Sequence, residues 1–360
     1  MKKIVLGVLA LAAFGLHARE TINIGVIFPL SGEAEVVGTQ FQDGVLMRQR
    51  EQNGHASLFD YKIIMEDSQE LPRLENFAYL KLISVDNCDV ILNDDGNLLA
   101  PLAARDKKLF LSFSWDERAA ADKLAFIHCT PVKPQAQMMA GILHSLGIKR
   151  VAILCEIQKG AMAMCDAQSS DINALGIEAR TIRFPLEERD FRGYLLRFYD
   201  FNPDAYIVQT FEPDFQIIIH RIRELNKTVP ITCIEGYTYL DDLSPYKGSF
   251  FIAGNQATDD FTRRFVRETG KTKVGFAGNA YDALDLIIHA YETAGAKLHR
   301  KPTTAEAADV LRNLKDYPGA IGSLTMGPNR VIQSPAVLKY IENGKAVPVT
   351  IEELKKKLGK

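Results

Sequence analysis

The sequence predicts an α/β protein with two lobes, each built on a parallel β-sheet that helices cover. Three observations lead to this fold class. The chain has 360 residues, which is enough for roughly two domains. Short apolar runs alternate with segments of helical periodicity, and this alternating layout occurs twice. With 47% hydrophobic residues and a net charge of -2, disorder is excluded, and there is no net positive field for nucleic acid.

The N-terminal segment has the pattern of a secretory signal. Lys2 and Lys3 precede an apolar run at residues 4–16, and Ala18 supplies a small residue for cleavage. A membrane-spanning helix needs ~20 apolar residues, so this run is too short to span, and no later stretch reaches that length. We therefore predict cleavage near Ala18, an exported chain and no membrane insertion of the mature part.

The first alternating layout follows directly. Residues 22–29 form an apolar run broken by glycine and proline, which is typical of a buried parallel strand leading into a loop. Phe41, Val45 and Leu46 then share one helical face. Further strands are predicted at 61–67, 90–92 and 109–112, with helices at 41–52, 73–83 and 98–105.

The second layout begins after Pro131 and Pro134, which mark the boundary. Helices are predicted at 135–146, 165–175, 191–201 and 215–225, and strands at 150–154, 179–183, 205–208 and 231–233. Strands that alternate with helices of this length imply right-handed crossovers and a second parallel sheet.

The last third of the chain adds elements to both halves. A strand at 250–254 precedes helices at 259–269, 277–296 and 304–314, a glycine-rich turn at 319–327, and a strand at 336–342. The Asn343-Gly344 pair predicts a hairpin turn with a partner strand at 347–351. Because open parallel sheets bind ligands at the carboxyl ends of their strands, the cleft between the lobes is the predicted ligand site.

The sequence carries none of the familiar enzyme motifs. It has no glycine-rich dinucleotide or phosphate loop, no zinc-protease histidine pair and no nucleophile elbow. The five cysteines lack zinc spacing and are interpreted as small buried hydrophobes. Cys155 and Cys165 are the nearest pair, for which a disulfide stays open. We predict a protein that is not an enzyme and uses no cofactor or metal.

Residues 22–32 (INIGVIFPLSG) resemble the opening of the branched-chain amino-acid type of extracytoplasmic solute-binding proteins. In that family an I-x-I-G-x-x-x-P-L-S-G stretch is followed by G-x-x-x-x-x-G, which Gly38 and Gly44 match. Weaker similarity continues at 66–67, 93–101, 211–214, 234–236 and 280–283. The resemblance therefore spans nearly the whole mature chain.

The resemblance implies a fold and a function. Such leucine-binding-protein-like members are periplasmic binding subunits of ABC importers, with two Rossmann-like lobes joined by three crossover segments (periplasmic binding protein type I). The lobes close over a small ligand, here an amino acid, amine, amide or related compound, and the partners are ABC transporter permease subunits. The alternative is a periplasmic ligand-sensing module for a receptor or enzyme partner.

The resemblance also implies the domain boundaries. With crossovers near 129–132, 250–255 and 323–326, residues 1–18 form the signal peptide. The first lobe takes residues 19–131 plus 255–324, and the second takes residues 132–254 plus 325–360.

Ligand contacts of the family can be transferred position by position. Its Ser-rich carboxylate-binding loop corresponds to residues 93–98, which contain no Ser or Thr. A family Tyr falls near Gly160, and only Glu235, at the position of the Glu that takes the ligand ammonium, keeps the family pattern. The ligand-binding residues implied by the resemblance are Asp95, Gly96, Asn97, Trp115, Asp116, Phe211, Glu212 and Glu235.

These departures would gather several carboxylates in one cleft. Such a cleft disfavours a carboxylate ligand and favours a cation, an amine or a polyol-like donor. Trp115 would stack on a flat or cationic group. A structural interpretation stays open beside this one. In it Asp95 caps the following helix, residues 114–117 form an S-x-x-E capping box, and Trp115 contributes only packing.

Overall fold

The computed structural model describes residues 19–32, 34–185, 188–210, 213–225, 228–240, 242–254, 256–333 and 336–360. The predicted signal segment and its cleavage point near Ala18 lie outside the described residues. Strands are β1 (Thr21–Phe28), β2 (Asp60–Asp67), β3 (Val90–Asn93), β4 (Leu109–Ser112), β5 (Ala125–Ile127), β6 (Arg150–Glu156), β7 (Glu178–Phe184), β8 (Ala205–Gln209), β9 (Ile231–Thr232), β10 (Phe250–Ala253), β11 (Tyr317–Gly319), β12 (Gly322–Met326), β13 (Ile332–Gln333), β14 (Val337–Glu342) and β15 (Lys345–Pro348). Helices are α1 (Glu35–Gln52), α2 (Pro72–Ser84), α3 (Ala100–Arg105), α4 (Val132–Ser145), α5 (Lys159–Ala174), α6 (Arg192–Leu196), α7 (Asp214–Leu225), α8 (Asp259–Thr269), α9 (Ala277–Leu298), α10 (Thr304–Arg312) and α11 (Ile351–Lys357).

The first sheet is parallel, with the strand order β2-β1-β3-β4-β5. Ile24 and Val26 of β1 pack in an apolar cluster with side chains of α1, α9 and α10, whereas Ile27 packs in a second cluster with α2 and α3. Successive residues of a strand face opposite sides. Both faces of the sheet are therefore covered, as the mainly apolar strands β3 and β4 predict.

The second sheet repeats this arrangement, with the parallel strand order β7-β6-β8-β9. Val151 and Ile153 of β6 pack against α4 and α5, and Ala152 and Leu154 pack on the opposite face with α6 and α7. A parallel bridge from Ile234 to Ile252 joins β10 to this lobe, and β10 pairs in an antiparallel fashion with β14. The predicted fold class, α/β with two parallel-sheet lobes, is confirmed.

The chain returns to the first lobe after β10 and ends on the second. Side chains of α9, α10 and β12 pack in the cluster of the first sheet, and Val331 bridges Ile127 of β5. Leu338 of β14 packs in the cluster of the second sheet. Because Leu324 of β12 belongs to the first cluster, we propose that the third crossing lies between Ile332 and Leu338, beyond the predicted 323–326.

Two motif glycines allow close backbone packing. A Cβ on Gly44 would overlap the carbonyl oxygen of Ala277, so Gly44 lets α1 and α9 approach each other closely. A Cβ on Gly38 would overlap the carbonyl oxygen of Pro29, the residue that follows β1. The glycine spacing of the opening motif therefore has a packing cause: it lets α1 lie directly against the loop after β1 and against α9.

Several predicted boundaries were wrong, each for a local reason. Helix α5 begins at Lys159 instead of residue 165, because the side chain of Gln158 caps it by accepting from the backbone N–H of Ala161. Residues 319–327 hold β12 as well as a turn, because Gly322, at φ 107°, closes a hairpin with β11. The helix predicted at 191–201 is shorter and ends at Leu196 (α6). The hairpin partner predicted at 347–351 lies earlier, at Lys345–Pro348 (β15). Helix α11 was missed, although its capping box of Thr350 and Glu353 is visible in the sequence.

Among the described residues, no helix combines the length and apolar character that crossing a bilayer demands.

Candidate functional site

The carboxyl ends of both parallel sheets face a common cleft. The amide of Gln158, at the start of α5, donates across it to Glu70, which follows β2, at 3.3 Å. A Cβ on Gly160 would lie 3.8 Å from Cδ1 of Trp115, the predicted contact from the first lobe. Trp115 packs against apolar side chains of both lobes. The structure therefore brings Trp115 and the segment around Gly160 together.

The side chain of Asn93, the last residue of β3, holds the loop that follows this strand. This buried side chain accepts from the backbone N–H of Gly96 at 2.7 Å and donates to the carbonyl of Ile27 at 3.1 Å. Gly96 has φ 85°, and a Cβ there would lie 2.7 Å from Oγ of Ser112. A glycine is required at this point of the loop for both reasons.

Carboxylates crowd the same side of the cleft. Burial raises the pKa of Asp94 well above its usual range, and the nearby carboxylates of Glu75, Asp95 and Glu70 add to this effect. Asp95 accepts from the side-chain amide of Asn97 at 3.1 Å. The N-cap of α3 is Leu99, so the interpretation of Asp95 as the cap of this helix is wrong.

Asp116 has a structural role in this arrangement. It is the N-cap of a short 3₁₀ helix and accepts from the backbone N–H of Arg118 at 2.9 Å. Its carboxylate also pairs with the Arg118 guanidinium, which holds the pKa of Asp116 below its usual range. The predicted capping box would begin at Ser114, whereas the observed N-cap is Asp116, two residues later. The carboxylate of Asp116 is already engaged on the protein surface.

Glu235 lies at the end of the second sheet and is only 2% exposed. Its carboxylate accepts from the backbone N–H of Gly254 at 2.6 Å and from the hydroxyl of Thr238 at 3.3 Å. Burial raises the pKa of Glu235 to about 8, although these two hydrogen bonds and the charge of Lys339 oppose the rise. The residue has φ 63°, a conformation that non-glycine side chains rarely adopt.

One partner of Glu235 belongs to a segment that connects the lobes. Gly254 follows β10, and a Cβ there would lie 2.5 Å from Oγ1 of Thr130, in the segment between β5 and α4. Lys339 of β14 donates to the side chain of Gln256 at 2.5 Å. Glu235 is therefore bonded to the hinge region, a contact that sequence alone does not reveal.

A cavity of about 310 Å³ lies between the lobes, and Thr238, a partner of Glu235, lines it. The second lobe contributes Thr238 and Leu240, and the first contributes Gln40 and Gly275. Gln256, from the connecting segment, closes one side. The volume is at the lower end of the range for small-molecule sites, and the lining is mainly polar.

Sequence reasoning missed three polar pairs at the carboxyl ends of strands. Glu156, which ends β6, accepts from the hydroxyl of Thr210 at 2.8 Å. Asp67, which ends β2, accepts from the hydroxyl of Ser31 at 2.5 Å, and although burial opposes it, this bond and backbone N–H groups lower the pKa of Asp67. The third pair is Gln158 with Glu70. A polar residue directly after a buried strand was the available signal for Glu156 and Asp67.

Two predicted site residues, Phe211 and Glu212, lie outside the described residues. Within the part of the chain that the structure describes, no group of three or more His, Cys, Asp or Glu side chains is arranged to hold a metal ion.

Known proteins resemble the chain over almost its full length. The sequence pattern of the family described as "Periplasmic binding protein" matches residues 21–345. The Leu/Ile/Val-binding protein BraC3 of Rhizobium johnstonii is 23% identical over 376 residues, which cover 96% of this chain and 99% of that protein.

Solved structures show the same fold. The leucine-binding protein LivK of Thermotoga maritima has a TM-score of 0.79 at 19% identity, covering 91% of this chain and 98% of its own. A solute-binding protein of an ABC transporter from R. palustris, in complex with benzoate, has a TM-score of 0.78 at 14% identity, with coverage of 91% and 95%. These relatives are solute-binding proteins and not enzymes.

Proposed function

This chain belongs to the periplasmic binding protein family, in its branched-chain amino-acid type, and from this membership we propose that it delivers a small polar ligand to an ABC importer. The ligand, an amino acid, amine, amide or related compound, is trapped between the two lobes. The permease subunits of the importer then receive it from the closed form.

One observation carries this proposal. Contacts from opposite lobes meet across the cleft at Trp115 and Gly160, and at Glu70 and Gln158. Both meeting points lie at the carboxyl ends of the parallel strands, where ligands bind in open α/β sheets. A cleft of this construction suits a protein that closes over its ligand and opens to release it.

The charge of the cleft supports a ligand that carries a positive or hydrogen-bond-donating group. Asp94 and Asp95 stand on one side. On the other side, Glu156 ends β6 and Glu235 follows β9 by three residues. A buried carboxyl group such as Glu235 takes its charge readily only when a cation approaches it. Amines and amino acids with a free ammonium group are therefore the ligands that we propose.

The proposed contacts follow from the same arrangement. Asp95, Gly96 and Asn97 approach the ligand from the first lobe with Trp115, and Glu235 approaches from the second. Phe211 and Glu212 remain in the proposed set on the strength of the resemblance alone. We remove Asp116, because Arg118 occupies its carboxylate.

A fluorescence titration tests the proposal directly. Trp115 is the single tryptophan of the chain, so its emission reports on the cleft without labelling. Amines, amino acids, amides and short organic acids are titrated singly, and melting is followed in parallel, because a bound ligand raises the midpoint. We expect saturable changes in both signals for at least one compound with an ammonium group. No response from any class would contradict the proposal.

We also propose that the protein works in the periplasm after removal of its signal peptide near Ala18. The intact mass of protein recovered from that compartment tests the cleavage. The expected mass lacks residues 1–18, and a mass that retains them would contradict this part of the proposal.

A further inference from the structure

The five cysteines are distributed unevenly over the core. All lie within the described residues and are buried. Cys88, Cys129 and Cys233 each pack in a different apolar cluster. Cys155 and Cys165 pack together in another, between the second sheet and α5. Among the cysteines, this is therefore the pair that the fold brings together.

The two cysteines of this pair lie at one interface. Sγ of Cys155, near the end of β6, lies 3.6 Å from the carbonyl oxygen of Ala161 in the first turn of α5. Cys165 follows Ala161 by about one helical turn, so both point to the same interface. The side chains of Cys155 and Cys165 interact at this interface.

We propose that Cys155 and Cys165 form a disulfide when the chain folds in an oxidising compartment. Disulfides persist outside the cytoplasm, so this modification in the cell rests on the proposed export. The chemistry itself does not depend on ligand binding.

The reaction is thiol–disulfide exchange with a protein or small-molecule disulfide as the oxidant. One cysteine thiolate attacks a sulfur of the oxidant, forms a mixed disulfide and releases one thiolate. The second cysteine thiolate attacks the protein sulfur of that mixed disulfide and releases the other. Two protons leave the cysteines, two electrons pass to the oxidant, and the oxidant becomes two thiols.

Burial of both thiols restricts the reaction to a stage of folding before this part of the core has closed. Both side chains are 0% exposed, which keeps an oxidant away from the folded core. Burial also raises the pKa of Cys165 well above its usual range, and contact with Cys155 adds to the rise. The reactive thiolate is therefore scarce in the folded protein. Oxidation has to precede closure of this part of the core.

The disulfide would also stiffen one side of the cleft. The first turn of α5 contains Gly160, which faces Trp115, and follows Gln158, which bonds Glu70 across the cleft. A covalent link from α5 to β6 would hold this edge of the second lobe at a fixed distance from its own sheet. The lobe would then move as a unit during closure.

Refolding the whole chain tests the proposal. The protein is unfolded and reduced, then refolded either with oxidised glutathione or with excess reductant. Free thiols are alkylated, and unreduced peptides are mapped by mass spectrometry. We expect Cys155 linked to Cys165 and the other three cysteines alkylated. We also expect the oxidised form to melt at least about 3 °C higher, because a short loop is closed in its unfolded state.

Two double variants serve as a matched pair. Cys155→Ala with Cys165→Ala should abolish the difference in melting temperature between the two refolding conditions. Cys88→Ala with Cys233→Ala should keep both the difference and the cross-linked peptide. Five alkylated thiols after oxidative refolding, linkage to other cysteines, or glutathione adducts in place of the cross-link would each overturn the proposal. These readouts need no ligand, so failure of the ligand titration leaves the result intact.

Discussion

Replacing Glu235 with glutamine should change how protein stability depends on pH. The side chain is 2% exposed, and its pKa is raised to about 8. In the unfolded chain the same carboxyl group titrates near its ordinary value of about 4.3. Below that value both states hold the proton and Glu235 causes no penalty. Between about 4.3 and 8 only the unfolded state loses the proton, so the free energy of unfolding falls as pH rises.

The size of the effect follows from the two pKa values. Each unit of difference corresponds to about 1.4 kcal/mol, so keeping a buried charge at pH 8.5 costs the native state up to about 5 kcal/mol. Glutamine carries no charge, and its carbonyl oxygen accepts from the Gly254 N–H in place of the carboxylate. Glu235→Gln should therefore match the wild type near pH 4.5. At pH 8.5 it should exceed the wild type by several kcal/mol.

Urea unfolding at a series of pH values measures this difference. Glu178→Gln is the matched control, because Glu178 lies exposed on β7 and pairs with Arg180 at 3.0 Å on the surface. Its difference from the wild type should stay nearly constant over the same interval. A wild type that gains stability over Glu235→Gln as pH rises, or a difference that does not vary with pH, would refute the reasoning.

Three further predictions follow from the packing and the cleft. Gly44→Ala should lower the free energy of unfolding in urea by about 1–3 kcal/mol, because the added Cβ overlaps the carbonyl oxygen of Ala277. Gly141→Ala is the control, because Gly141 in α4 has open space around it and this substitution should not destabilise the protein. Trp115→Ala should weaken binding of a cleft ligand at least about tenfold in calorimetry, because its packing against both lobes is lost. Leucine, isoleucine and valine should bind more weakly than amines in calorimetry, since the loop at 93–98 lacks hydroxyl groups. Micromolar binding of any of the three would contradict the inference that the loop at 93–98 no longer holds a ligand carboxylate.

The sequence was sufficient for the fold because local patterns and tertiary packing agree there. Strands such as β3 and β4 are apolar except for their last residue, and the structure buries every residue of both. Where a boundary depended on a single side chain, the prediction failed. The start of α5 is set by Gln158, which is a less common cap than Ser, Thr, Asp or Asn and gives a weak signal.

The site was harder to predict, because the partner of a side chain is a tertiary property. The motif gave the position of Glu235, but its bond to Gly254 joins residues that only the connecting segments bring together. Asp116 was placed in the cleft by position, and its pairing with Arg118 depends on a local turn. A sequence names the chemical groups at strand ends. It does not say which of them neutralise one another.

The late return of the chain has a consequence for biosynthesis. The core of the second sheet includes Leu338 and Leu354, and that of the first includes Leu324 and Ile332. A ribosome therefore has to make nearly the whole polypeptide before either core is complete. Contacts between residues so far apart in sequence also form slowly. Both lobes of this chain therefore acquire their last core residues late in synthesis and late in folding.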